Sequence, residues 1–312
     1  MQAAAACRRT TCRLSPRWYK AAIPIEPIDL LHLGNERVIG VYVVDTPEGP
    51  ALFDCGPATC FERLEAAVDL AEIRHLLLSH IHLDHAGAAG HVVRAHPQVR
   101  VHVAEIGAPH VIDPTRLIGS ARRLYGDELD RLYGEPVPVP QENVEVIWDT
   151  AAGVKSFPAP GHASHHVCYL LDDGTLLAGD ATGVRILPGR HVLPHAPPPD
   201  IDLEAWERTF DEVLRHQPES LALIHFGVVS GTEEVAEHVE RTRSYLAVWA
   251  KRVHDGMTED EFVATARADI VASEGEGACA YLRAAPLAQS YLGLERYWRK
   301  KGEQDAEAAA SA

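Results

Sequence analysis

Arg74-His75-Leu76-Leu77-Leu78-Ser79-His80-Ile81-His82-Leu83-Asp84-His85 places four potential metal ligands, His80, His82, Asp84 and His85, directly behind a short apolar run. Imidazole and carboxylate are the donors that suit zinc and related divalent transition metals. Two histidines on one helical face stand about four residues apart. The i, i+2 spacing of His80 and His82 instead requires extended backbone, with Asp84 and His85 turning back behind it. Gly87 and Gly90 leave the chain free to make that turn. Any one of these side chains alone reads as an ordinary hydrogen-bonded polar residue. Together they point to a metal, because grouping so many desolvated polar groups costs free energy unless a cation pairs with them.

Three later residues share that context. His162 follows Lys155–Phe157 in Pro160-Gly161-His162, Asp180 follows Thr175-Leu176-Leu177-Ala178-Gly179, and His225 follows Leu221–Ile224. Each lies just past the C-terminal end of a short apolar strand, where α/β architectures gather their sites. Seven ligands in this one sequence exceed what a single tetrahedral ion uses and suffice for two ions sharing a carboxylate. His165 and His166, close behind His162, are expected behind the ligands or at the surface rather than among them.

Around these positions the chain alternates short apolar runs with Gly, Pro and Asp. Val38–Val44, ending at the turn Asp45–Gly49, and Ala51–Phe53 read as a hairpin. Leu76–Leu78, Val99–Val103, Val144–Ile147, Val154–Phe157, Val167–Leu171, Leu176–Ala178 and Leu221–Ile224 read as further strands. Helical spacing over Phe61–Leu70 and Pro114–Leu132 completes a layered α/β pattern. The segment 105–143 is expected as an insertion across a sheet edge, and His191–Pro199 as an irregular Pro-rich loop. Beyond residue 230 the pattern is helical; Thr258 and Glu261 form a capping-box pair. The helix bearing Leu203, Trp206, Phe210, Val213 and Leu214 must stop before Pro218. The expected organisation is an N-terminal extension over 1–22, a catalytic domain over 23–230, a helical region over 231–302 packed on it, and a frayed tail over 303–312.

A formal charge of −16, from 29 Lys and Arg against 45 Asp and Glu, argues against a nucleic-acid partner, which needs a basic surface. No apolar run approaches the roughly 20 residues of a membrane span. Six scattered cysteines without framework spacing read as free thiols in a reducing, cytoplasmic setting. Residues 1–22 carry Arg8, Arg9, Arg13, Arg17 and Lys20 and no acid; a disordered extension is the expectation, an organelle-targeting segment the alternative. The expected partner is a small-molecule substrate, with no membrane contact, and assembly as a homodimer is compatible with this composition.

From about residue 28 to 230 the chain resembles the metallo-β-lactamase fold superfamily. His80, His82, Asp84 and His85 match its signature loop, and His162, Asp180 and His225 its later ligand positions. The resemblance implies an αβ/βα four-layer sandwich, here with an extra helical C-terminal region. It implies that His80, His82 and His162 hold one metal, Asp84, His85 and His225 a second, and that Asp180 bridges them. Two divalent ions are expected, zinc first, with iron or manganese as alternatives. A bridging Asp marks the glyoxalase II-like and lactonase-like branches and is absent from true β-lactamases. The implied activity is therefore cleavage of an ester, lactone or thioester carbonyl by a metal-bridging hydroxide, with Asp84 as the catalytic carboxylate. A mononuclear iron enzyme like the persulfide dioxygenases, using His80, His162 and Asp180, and a small-molecule phosphodiesterase are the alternatives. Candidate substrate contacts are Arg116, Tyr125, Arg185 and His195, and Phe226 is expected to set an apolar ring beside the site. Glyoxalase II enzymes grip their substrate with C-terminal basic residues, for which Arg241, Arg243, Lys251 and Arg252 are candidates here.

Overall fold

A computed structural model of the protein describes residues 25–310. The expected N-terminal extension, with Cys7 and Cys12, lies outside the described residues. Two six-stranded sheets form the body. The first is ordered β1 (Ile28–Asp29), β2 (Gly40–Thr46), β3 (Gly49–Phe53), β4 (His75–Leu77), β5 (Arg100–Ala104) and β6 (Val144–Ile147). Its β1–β2–β3 part is antiparallel and its β3–β4–β5–β6 part parallel. The second runs β12 (Gly227–Ser230), β11 (Ser220–Leu223), β10 (Thr175–Leu177), β9 (Val167–Leu170), β8 (Val154–Pro158) and β7 (Thr150–Ala151), with only β10 and β11 parallel.

Parallel neighbours need crossovers, and these supply the helices. α1 (Phe61–Ala67) links β3 to β4; α2 (Leu83–Ala86) and α3 (Ala89–Ala95) link β4 to β5; α4 (Ala108–Ile112), α5 (Thr115–Tyr125) and α6 (Leu129–Tyr133) link β5 to β6. α7 (Leu203–His216) links β10 to β11. The C-terminal helices are α8 (Thr232–His254), α9 (Glu259–Glu274), α10 (Ala278–Ala284) and α11 (Leu287–Ala310). The result is the four-layer αβ/βα sandwich that the sequence led us to expect, with a helical C-terminal region.

Apolar strand faces make the core between the sheets, where Tyr42, Phe53 and Tyr169 are fully buried and pack in sequence, the first pair tilted and the second edge to face, with ring centroids 6.4 and 5.9 Å apart. Each tyrosine also ties one sheet to the other through its hydroxyl. Tyr42 donates to the Leu223 carbonyl at 2.7 Å, and Tyr169 to the Leu78 carbonyl at 2.6 Å. Backbone bonds from Val167 N to Ser79 O (2.8 Å) and from Gly40 N to Ile224 O (2.9 Å) close the sandwich beside the ends of β4 and β11. That edge is where the ligand candidates lie.

Several expectations are corrected. The segment 105–143 is the β5–β6 crossover rather than an insertion, since β6 pairs in register with β5. Its helix does not run from Pro114 to Leu132. Gly126, at φ 55°, ends α5, and a 3-10 turn over Gly126–Glu128 separates it from α6. Residues 303–310, expected as a frayed tail, continue α11; their Glu, Gln and Ala content favours helix. The helix α7 stops at Gln217, before Pro218, and Thr258 and Glu261 form the capping box. Cys55, Cys60, Cys168 and Cys279 are free thiols, the first three buried.

Candidate metal centre

The ligand candidates converge from the C-terminal ends of four strands. After β4 the chain stays extended through His82 (φ −60°, ψ 150°) and then winds into α2, which turns Asp84 and His85 back over the edge. His162 follows β8, Asp180 follows β10 and His225 follows β11. All but the part-exposed His82 and Asp84 are buried.

In a first set, His80 Nε2 and His162 Nε2 lie 2.8 and 3.1 Å from His82 Nδ1. Tetrahedral nitrogen ligands of zinc sit about 3.3 Å from one another, so adjustments of a few tenths of an ångström would seat an ion. In a second set, Asp84 Oδ2 is 3.5 Å from His225 Nε2 and 3.8 Å from His85 Nε2. Asp180 stands between them. Its Oδ1 is 3.6 Å from His85 Nε2 and 3.8 Å from His225 Nε2, and its Oδ2 is 3.7 Å from His162 Nε2.

Three of these buried atoms, His85 Nε2, His225 Nε2 and Asp180 Oδ1, have no hydrogen-bond partner. Buried polar atoms are seldom left so, and here all three face one another. A divalent cation is what satisfies them, so the donor set fits the metal that the sequence implies. His80, His82 and His162 would hold one ion, Asp84, His85 and His225 the other, and Asp180 is placed to reach both.

The far side of four of the five imidazoles, all but His82, is held by a hydrogen bond that prepares the ring. Nδ1 of His162 donates to the His195 carbonyl (2.8 Å), Nδ1 of His225 to the Val38 carbonyl (2.6 Å), and Nδ1 of His85 to Asp54 Oδ2 (2.8 Å). His80 Nδ1 meets Ser79 Oγ at 2.9 Å, and that hydroxyl donates to Asp54 Oδ2 at 2.7 Å. Protons held on Nδ1 leave the Nε2 lone pairs free for a metal. The sequence reading missed Asp54 and Ser79. Asp54 follows the apolar strand Ala51–Phe53, the same signal that found Asp180, and could have been found by it.

Electrostatics separate the two sets. Burial pushes His80 and His82 well below the ordinary imidazole value, and neighbouring imidazoles push the same way. Burial also lowers His162, against the pull of Asp180. At His85 and His225 burial acts in the same direction, but Asp180 and Asp84 overcome it and both rise. Burial raises Asp84 and Asp180, yet His85 and His225 hold both below the usual carboxylate range. The second set is thus an anionic well that draws positive charge.

A cavity of about 330 Å³ opens over the cluster and reaches His82, Asp84, Asp180 and His225. Of the expected substrate contacts, Tyr125 and His195 line it. Burial pushes the Tyr125 hydroxyl up to about 12, with Asp84 adding to it, so it remains a donor. Burial and His162 push His195 down to about 3, so its ring is neutral. The other two expectations are corrected. Arg116 is exposed and outside the cavity lining. Arg185 is buried and committed to Glu234 (2.7 Å) and the Gly189 carbonyl (2.8 Å), holding a loop in place. Phe226 is outside the lining too, its ring packed over Gly40. Arg241, Arg243, Lys251 and Arg252 pair with Glu237, Asp211, Asp255 and Asp269 and do not line the cavity. His166 accepts from the Asp180 N–H at 3.1 Å and stacks on His80, behind the ligands.

Fold and site together define a two-sheet α/β metalloprotein with its ligands at one edge of the sandwich. The chain belongs to the metallo-β-lactamase superfamily, whose family model matches residues 35–225. It is 23% identical to the metallo-beta-lactamase fold-containing protein ST1585 of Sulfurisphaera tokodaii, over 72% of this chain and 84% of that one. The crystal structure of the archaeal protein ST1585 superposes with a TM-score of 0.58 at 22% identity, covering 72% of this chain and 85% of the other. A metallo-beta-lactamase family protein of Thermus thermophilus, TTHA1429, superposes with a TM-score of 0.56 at 17% identity, covering 89% and 93%. A hydroxyacylglutathione hydrolase of Shewanella halifaxensis is 24% identical over 47% of this chain and 44% of its own length. Among the described residues no helix is long and apolar enough to cross a membrane.

Proposed function

We propose that this protein is a dinuclear metal-dependent hydrolase, zinc-loaded, that cleaves the carbonyl of an ester, lactone or thioester. The observation that carries the proposal is Asp180, whose two oxygens face two different ligand sets, His162 on one side and His85 with His225 on the other. A complete second set, Asp84, His85 and His225, favours this reading over a single iron on His80, His162 and Asp180. Two divalent ions held there would supply Lewis acidity, bringing a water toward ionisation at neutral pH and polarising a carbonyl oxygen.

The chain's own residues do the remainder. Asp84 is one-fifth exposed and lines the cavity, which supports it as the carboxylate that meets substrate. It orients the attacking oxygen, accepts its proton and delivers that proton to the leaving oxygen or sulfur as the acyl bond breaks. The neutral His195 ring and the Tyr125 hydroxyl offer hydrogen bonds to the substrate at the cavity wall. The partial similarity to a hydroxyacylglutathione hydrolase supports carbonyl chemistry. The test is elemental analysis of the purified protein with a panel of lactone, ester, thioester, phosphodiester and β-lactam substrates. Two zinc per chain and turnover of a carbonyl substrate is the expected result. One iron per chain with oxygen uptake on a persulfide, or turnover confined to phosphodiesters, would overturn it.

A further inference from the structure

The cavity over the ligand cluster is divided by its chemistry into floor, wall and rim. Its floor is the ligand set. Its wall is apolar: Leu83, Leu117, Leu124, Leu132 and the rings of Tyr125 and Tyr133 line it. Its outer lining includes Arg123 of α5 and Arg283 of α10, both exposed, and Arg296 of α11, half-buried.

These arginines are out of keeping with the chain. Acids outnumber Lys and Arg by 45 to 29, yet among the described residues the only carboxylates lining the cavity are Asp84 and Asp180, both in the ligand set. Among the described residues none of the three arginines forms an ion pair, and the residues outside that range carry no Asp or Glu side chain. Pairing is available next door: Arg122, adjacent to Arg123 on α5, is bound to Asp130 at 2.7 Å. Arg296 spends one nitrogen, Nε, on the Pro199 carbonyl at 3.4 Å, and its terminal nitrogens have no hydrogen-bond partner among the described residues. Three arginines from three helices thus line an apolar cavity with no ion-pair partner among the described residues. Guanidinium groups match carboxylate and phosphate in shape, and a low-dielectric cleft focuses their field.

We propose that the substrate is an amphiphilic anion. An apolar segment lies along the leucine and tyrosine wall with the scissile carbonyl at the floor, and a carboxylate or phosphate at the remote end is held by Arg123, Arg283 and Arg296. The identification of the scissile group rests on the hydrolase reading; the anion-binding rim does not.

Two measurements on the metal-loaded protein test this. Calorimetric titration compares octyl phosphate and octanoate with octan-1-ol, in the wild type and in Arg123→Gln, Arg283→Gln and Arg296→Gln. At least one anion is expected to bind about tenfold or more tightly than the alcohol. That advantage should fall about twofold to fivefold per arginine removed and shrink with added salt. Which of the two anions carries the advantage identifies the head group. An advantage that survives all three substitutions would place the anion on the metals and overturn the rim. Kinetically, the ratio of kcat/KM for a suberic acid monothioester, with its free carboxylate at the far end of the acyl chain, over that for the octanoyl ester of the same thiol should exceed one and fall in each variant, through KM. Turnover of both thioesters at equal efficiency, insensitive to the arginines, sinks the rim and leaves the hydrolase standing. Arginine-dependent anion binding without turnover of any carbonyl substrate does the reverse.

Discussion

Asp54 is the carboxylate on which both ligand sets lean, and Asp54→Asn removes one charge while keeping its shape. Oδ1 accepts from the Ser79 N–H at 2.7 Å, and Oδ2 accepts from both Ser79 Oγ (2.7 Å) and His85 Nδ1 (2.8 Å). An asparagine must turn its NH2 toward one of these two positions. Placed at Oδ1, it meets a backbone donor; placed at Oδ2, it meets the His85 Nδ1–H and the Ser79 hydroxyl. In the second arrangement His85 is relieved by moving its proton to Nε2, the atom that faces Asp180. Ser79, now accepting from the amide, turns its own proton toward His80 Nδ1 and drives that ring the same way. One substitution thus spoils a ligand in each set. Loss of such a supporting partner costs about tenfold to a hundredfold in metal affinity, or about 1.4 to 2.8 kcal/mol per site. The assay is competition against a chromophoric zinc chelator, with circular dichroism to establish that the variant folds. Ser79→Ala is the companion, since it cuts the route to His80 and leaves the Asp54–His85 bond, so only the first set should weaken. Unchanged affinity at both sites in a folded Asp54→Asn protein would refute the reasoning.

Asp180→Ala removes the carboxylate whose oxygens face both sets and should lower zinc content at both, read as metal per chain after dialysis; retention of two equivalents would show that it does not bridge. Gly161 lies at φ 139°, and a Cβ there would come within 2.3 Å of the Trp206 side chain. Gly161→Ala should cost about 1–3 kcal/mol in urea unfolding and weaken the first set through the displaced His162; an unshifted midpoint would contradict the packing. Arg185→Ala breaks the contacts to Glu234 and the Gly189 carbonyl, and should cost about 1.5–3 kcal/mol of stability while leaving metal stoichiometry at two. Loss of zinc in a stable Arg185→Ala protein would give that arginine a closer role in the site.

What the sequence by itself determined is the chemistry of the ligand candidates and the strands that carry them. His80, His82, Asp84 and His85 are local, so their spacing alone dictates an extended segment followed by a turn. His162, Asp180 and His225 were recognisable because each ends an apolar run, and in a sandwich of this kind strand ends share one edge. Composition and pattern likewise announced the capping box at Thr258 and the stop of α7 before Pro218. Tertiary structure decided what depends on which surfaces meet. Arg116 and Arg185 carry the same guanidinium as Arg123, Arg283 and Arg296, yet one points to solvent, one is spent on Glu234, and three line the cavity. Nothing local distinguishes them, because the difference lies in how α5, α10 and α11 pack around residues distant in sequence. Asp54 and Ser79 were hidden for the same reason: a hydrogen bond across 25 residues exists only after β3 and β4 have paired.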